Sequence, residues 1–155
     1  MIKLVYLIKK RQDLTDAAFE TYWRESHARL VEELAPTLRA MRYAMSRRLD
    51  TVCNACVSNA RDLGSSDYDG VIEIWWDSLE DYVAGAGSAA GIAAVDALVD
   101  AERRFVDFAN SASFFSEEEI IFDTNQPDIS PRRSRITSNS KSMLSNVKST
   151  TALIE

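Results

Sequence analysis

Phe19 to Leu34 reads FETYWRESHARLVEEL, and its apolar positions decide what this chain becomes. Phe19, Trp23, His27, Leu30, Val31 and Leu34 recur at gaps of four, four, three, one and three, which is one face of a 3.6-residue period. The stretch reads as a long helix that turns an aromatic stripe inward, and the single histidine of the chain lies on that stripe. An imidazole among aromatics is either packed or at work. Both alternatives begin with an inward-facing ring.

Outward from the helix, the remaining elements follow from patterning. Ile2 to Lys9 is apolar at almost every position, as in a strand covered on both faces. Lys10 to Asp13 is a polar turn, and Thr15 before Asp16 is an N-cap with an acid in the first turn. The helix is expected to end near Pro36, because the residue before a proline is pushed out of the α region. Leu38 to Leu49 reads as a second strand, with Leu38, Ala40, Arg42 and Ala44 on one face and Met41, Tyr43 and Met45 on the other. Residues 50 to 69 read as an inserted excursion with a short helix over Ala55 to Leu63.

Tyr68 to Asp77, YDGVIEIWWD, is the clearest strand, rich in β-branched and aromatic residues, with Glu73 as the one charge inside its apolar run. Ser78 followed by Asp81 opens a second helix in a capping-box-like arrangement. The GAGSAAG run at 85 to 91 interrupts that helix, since each glycine costs about 1 kcal/mol relative to alanine. Helical spacing resumes with Ile92, Val95 and Val99, and Ala112 to Phe122 is the final strand.

The order β-α-β-(insert)-β-α-β is the split βαβ pattern of an α+β, ferredoxin-like domain: a four-stranded antiparallel sheet with two helices on one face. Strands one and three look apolar on both faces, so the uncovered face needs a cover. A second copy of the same sheet is the simplest one, and the expected assembly is a homodimer with two sheets facing each other as a dimeric α/β barrel. The domain is expected to span residues 1–123 with its insert at about 50–69, and residues 124–155, polar and poor in aromatics, read as a disordered tail.

Composition removes several classes of function. At 46% hydrophobic and 27% charged residues the chain is an ordinary globular one, with no apolar run near the ~20 residues of a membrane span. The apolar run in MIKLVYLIKK is too short for a signal peptide, so a cytoplasmic protein with no membrane partner is expected. Residues 124–155 carry +3, leaving −9 on residues 1–123, and so acidic a body argues against nucleic acid. Cys53 and Cys56 form a C-x-x-C with no second pair and no nearby histidine, so no metal is expected there and both read as reduced thiols. The glycine run is not G-x-G-x-x-G and implies no nucleotide cofactor. Ser-Pro-Arg-Arg-Ser-Arg at 130 to 135 reads as solvated tail.

The stretch MIKLVYLIKKRQDLTDAAFETYWRESHARLV resembles the opening of EthD-type domains of the dimeric α/β-barrel superfamily. RLDT at 48–51, YDGVIEIWWDSLED at 68–81, RFVDFANS at 104–111 and EEEIIF at 117–122 resemble the later blocks of that family, in the same order. Tyr22, Trp23 and His27 match the family's tyrosine-tryptophan pair with a histidine a few residues on, while Arg29 stands where a proline is common. The resemblance implies chemistry on small ethers or dehydration and decarboxylation of aromatic polyketides. The wider superfamily also holds monooxygenases, haem enzymes and proteins without assigned activity.

Among the residues themselves, His27 is the natural general acid/base, because imidazole titrates near neutrality. Glu73, an acid in an apolar strand, must face a cavity or a partner and is the second candidate for proton transfer. Tyr43 and Tyr6 can donate phenolic hydrogen bonds to an oxyanion. Trp23, Trp75 and Phe114 are candidates to line an aromatic-binding pocket. The expected function is a cofactor-independent lyase, of dehydratase or decarboxylase type, acting on a small aromatic or polyketide-like carbonyl compound. The alternatives are a non-catalytic dimeric protein that binds small hydrophobic ligands, and a haem-binding or cofactor-free monooxygenase.

Overall fold

In a computed structural model of the chain, residues 1–64 and 67–124 are described. Met1–Glu118 forms one compact unit, set apart from the residues that follow, and carries every element below. The tail expected from Thr124 onward, with its SPRRSR segment, lies beyond that one residue outside the described part.

Strands β1 (Ile2–Ile8), β2 (Arg42–Arg47), β3 (Gly70–Trp76) and β4 (Ala112–Glu117) form one sheet in the order β2-β3-β1-β4, antiparallel at every step. Helix α1 (Asp16–Thr21) runs through a π-helical turn (Tyr22–His27) into α2 (Ala28–Leu38); α3 (Val52–Asn59) sits in the insert, and α4 (Leu79–Ala86) and α5 (Ala89–Glu102) link β3 to β4. This is the ferredoxin-like α+β fold that the patterning anticipated.

Register assigns each strand residue to a face. Tyr6 is opposite both Ile72 and Ser113, and Ile72 is opposite Met45, so these four share one side, joined by Leu4, Tyr43, Ile74 and Phe115 one pair further on. The helices cover this side. The core there is Ile8, Phe19, Trp23, Ile72, Phe105 and Val106. Gly70 is part of the fit: a Cβ on it would collide with the six-membered ring of Trp23.

Several boundaries differ from expectation, each for a local reason. The first helix does not stop before Pro36. It continues to Leu38, where Arg39 takes a left-handed conformation (φ 54°) and the amides of Arg39 and Ala40 close on the carbonyls of Pro36 and Ala35 at 3.2 and 2.9 Å. Leu38 is therefore helical, its carbonyl accepting the Trp76 indole N–H at 2.8 Å, and β2 spans Arg42–Arg47 instead of 38–49.

The insert helix begins at Val52, ahead of the expected Ala55, because the Thr51 hydroxyl caps the Cys53 amide. Cys53 and Cys56 are exposed free thiols. Ser78 caps α4 by accepting from the Asp81 amide, but Asp81 is too short for the reciprocal capping-box bond and instead accepts from the Ser78 hydroxyl at 2.8 Å. The glycine run does break the helix, with Ser88 capping α5 and the two helices bent by 88°. Strand β4 ends at Glu117, opposite Ile2 at the start of β1, and not at the expected Phe122.

Candidate active site

The π-helical turn is what delivers the histidine. The Ala28 amide reaches back five residues to the carbonyl of Trp23, so the turn is one residue wider than an α-turn. Turns of this kind concentrate at functional sites. This one sits in the Tyr22–His27 stretch without a proline, Arg29 being an ordinary exposed residue of α2. Trp23 and His27, four apart, both emerge buried at 2% exposure.

His27 is held from three sides. Its Nε2 lies 3.3 Å from Oε1 of Glu102, its Nδ1 lies 3.3 Å from the hydroxyl of Tyr43, and the Phe105 ring meets it edge-on at 5.3 Å between centroids. A carboxylate can only accept, so the hydrogen belongs on Nε2 and is donated to Glu102. Nδ1 then carries the lone pair and accepts the Tyr43 phenolic O–H. Both distances are at the long end of the hydrogen-bond range, as in sites that tighten once a substrate is bound.

Glu102 was absent from the sequence-based candidates. It is the last residue of α5, and its carbonyl accepts the amides of Phe105 and Val106 at 3.0 and 2.8 Å, which ties the carboxylate and the Phe105 ring to one rigid helix end. A signal for it existed. Val95, Leu98, Val99 and Glu102 follow the spacing three, one, three, so Glu102 occupies the inward stripe of its helix as His27 does on the first.

The triad opens on a cavity of about 400 Å³ between sheet and helices. Leu4, Ile72, Ile74 and Trp76 form its floor, Val31 and Leu38 of α2 and Val95, Leu98 and Val99 of α5 form its walls, and Tyr6, Tyr43 and Tyr82 supply phenols. Burial pushes the Tyr43 phenol well above the ordinary range; the Trp23 indole pulls it partly back, and the charge of Glu102 raises it further. That indole N–H, though close enough to be felt, has no hydrogen-bond partner of good geometry. Tyr6 is raised likewise, first by burial and then by Glu102. Both hydroxyls are thus kept protonated, as hydrogen-bond donors must be.

The other expected site residues fall elsewhere. Glu73, Trp75 and Phe114 point to the opposite face of the sheet, with Lys3, Val5, Leu7, Arg42 and Ala44. Glu73 accepts from Lys3 Nζ at 2.7 Å, and the Lys3 ammonium also lies 3.3 Å from Glu118. The Trp75 indole donates to Glu118 at 3.1 Å while the Arg42 guanidinium stacks on its ring at 4.3 Å. Phe114 is 53% exposed. Trp23 packs in the core against Phe19 at 5.2 Å and does not line the cavity. The structure therefore joins His27, Tyr43 and Tyr6, adds Glu102, and separates them from Glu73, Trp75 and Phe114 by the thickness of the sheet.

Among the described residues no three metal-ligating side chains come together, and no single helix is long and apolar enough to cross a membrane; α4 and α5 meet that test only as a pair bent by 88°.

No curated protein matches the sequence significantly. An ethyl tert-butyl ether D (EthD) family protein from Bacillus halodurans superposes with a TM-score of 0.54 at 19% identity, covering 77% of this chain and 99% of its own. A Bacteroides fragilis protein described as dimeric, ferredoxin-like and of unknown function gives 0.50 at 14% identity, covering 76% and 95%. HapK from Hahella chejuensis gives 0.50 at 15% identity, covering 77% and 93%. At these identities the likenesses speak for the fold. The family is carried by sequence: the EthD domain model matches residues 11–109, which include His27, Tyr43 and Glu102, and the chain belongs to the EthD family.

Proposed function

We propose that the protein is a cofactor-independent lyase that moves a proton on a small, largely aromatic carbonyl compound, with His27 as general acid/base. The observation that carries this reading is the chain Glu102–His27–Tyr43 at the wall of an apolar cavity. Apolar walls would hold a ring while a few convergent polar groups handle the charge. With the substrate carbonyl against Tyr43 and Tyr6, Tyr43 releases Nδ1 and donates to the carbonyl oxygen. Giving up so long a hydrogen bond costs about 0.5–1.5 kcal/mol or less.

Nδ1 then takes the proton next to the carbonyl. The two phenols hold the enolate oxygen, and the Glu102 carboxylate faces the imidazolium that forms. When a β-hydroxyl is the leaving group, the imidazolium returns its proton to it: a C–H and a C–O bond break, a C=C bond forms, and water departs. When the leaving group is carbon dioxide, the same donors would hold the enolate left behind. Glu73, Trp75 and Phe114 have no part in this scheme, and the partner fitted to their face is a second copy of the chain, completing the homodimer.

A haem ligated by His27 would have to displace Glu102 from Nε2 or Tyr43 from Nδ1, and an absorbance spectrum in the Soret region tests for it. The test of the lyase is turnover of a model substrate, the aldol of benzaldehyde and acetone, whose loss of water gives a conjugated, absorbing ketone. His27→Ala should slow it ~10²-fold or more. Unchanged turnover would sink the catalytic role, and tight binding of the aldol without turnover by the native protein would make this a ligand-carrying protein instead.

A further inference from the structure

The cavity carries more information in its charges than in its shape. Among the described residues that line it there is no lysine or arginine; its one acidic side chain is Glu102, which His27 already faces. Four cations outside the lining are held in ion pairs. Arg47 pairs with Glu20 at 2.7 Å, Lys10 with Asp16 at 2.7 Å, Arg39 with Asp81 at 3.4 Å, and Lys3 lies on the other face of the sheet with Glu73.

We infer that this site, read as the lyase above, takes electrically neutral substrates: a β-hydroxy ketone or aldehyde on an aromatic frame, from which water leaves, and not a carboxylate that would lose carbon dioxide. An anion entering here gives up its hydration to apolar walls and finds no cation in return. It also enters the field of a like charge. If His27 were protonated to receive it, the anion would compete with Glu102 for the same imidazolium. The reach of that field is visible in the phenols, since the charge of Glu102 helps to raise both Tyr6 and Tyr43. A neutral hydroxy ketone meets none of these costs and uses the groups present, because its carbonyl accepts from phenols and its departing hydroxyl needs only the proton that His27 has just received. The atoms balance with no oxidant or co-reactant. The reaction that supplies such a substrate is an aldol-type closure that leaves a β-hydroxyl, and the product is a conjugated or newly aromatic ring.

The test is calorimetric titration of the full chain with two nearly isosteric probes, acetylnaphthalene and naphthoate of the same substitution. Acetylnaphthalene should bind at least tenfold more tightly at neutral pH. Glu102→Gln should narrow that gap to threefold or less. Ser113→Lys, which places an ammonium at the cavity rim from the exposed edge strand β4, should make naphthoate the equal or better ligand. The Ser113 variant keeps the inference testable even if the Glu102 variant folds poorly. Naphthoate binding to the native protein as tightly as acetylnaphthalene overturns the neutral-substrate inference and leaves the lyase reading standing. Failure of both probes to bind overturns the aromatic-pocket reading, and this inference with it.

Discussion

Replacing Tyr43 with Phe removes one oxygen from the centre of the site and leaves the ring in place, so its effects on stability and on rate can be told apart. For stability, the lost bond is the 3.3 Å contact from the hydroxyl to His27 Nδ1. A neutral hydrogen bond is worth about 0.5–1.5 kcal/mol net, and the acceptor left behind borders a cavity that water can enter, so the loss should be about 1 kcal/mol. Spread over the Met1–Glu118 unit, that lowers Tm by ~4 °C. For rate, removal of one donor to a developing oxyanion costs ~10²- to 10³-fold. Tyr6 remains as the second donor, so the lower figure, about 3 kcal/mol in the barrier, is the expected one. The assay is dehydration of the benzaldehyde–acetone aldol followed by absorbance, beside a thermal melt of the same sample. A variant that melts ~4 °C low and still turns over within threefold of the native rate would refute the argument, because the hydroxyl would then be a packing group only. A melt lowered by some 15 °C would assign the rate loss to damage instead of chemistry, about four times the shift the lost bond accounts for.

Two further outcomes are expected. The phenols of Tyr6 and Tyr43 are raised in the folded state, so the stability they contribute is whole below about pH 10, where unfolded tyrosine begins to ionise, and is lost as pH climbs through the folded values. Ultraviolet titration of tyrosinate should accordingly show a late component that shrinks in Tyr6→Phe and again in Tyr43→Phe; a titration curve identical in all three proteins would remove the claim that burial holds these groups neutral. On the opposite face, Phe114→Lys should convert a dimer of 17.4 kDa chains to monomer by sedimentation equilibrium, and native protein that sediments as a monomer at micromolar concentration would dismiss the sheet-to-sheet dimer.

How much of this could be seen in the sequence depended on what each pattern reports. Periodicity states which way a side chain leaves its own element, and on that basis the inward histidine and the helix-strand order were legible. It does not state what the side chain meets. Alternation along β3 divides Val71, Glu73 and Trp75 from Ile72, Ile74 and Trp76, yet which set lies under the helices is decided by pairing with β1 and β2, and only the register settles it. Glu73 reads as a candidate for proton transfer because a charge in an apolar run demands an explanation. Its explanation is Lys3, seventy positions away on the neighbouring strand. Pro36 misled for a different reason: a proline constrains its own turn, but the end of the helix was set three residues later by the bonds that close on Arg39.

Glu102 is the instructive case, because the argument that singled out His27 applies to it unchanged. Each is a titratable residue on the buried stripe of a helix, and a polar group in that position must find a partner or be costly. A two-helix ferredoxin-like unit packs both stripes on the same side of one sheet. Two polar residues that break the two stripes therefore have few candidates for a partner besides each other, and here they meet across seventy-five positions of sequence. In other chains of this architecture the place to look for the orienting acid is consequently the second helix's own inward stripe near its C-terminal end. A charged residue in a strand is the weaker lead, because the sheet offers it a second face on which to be satisfied by an ordinary ion pair.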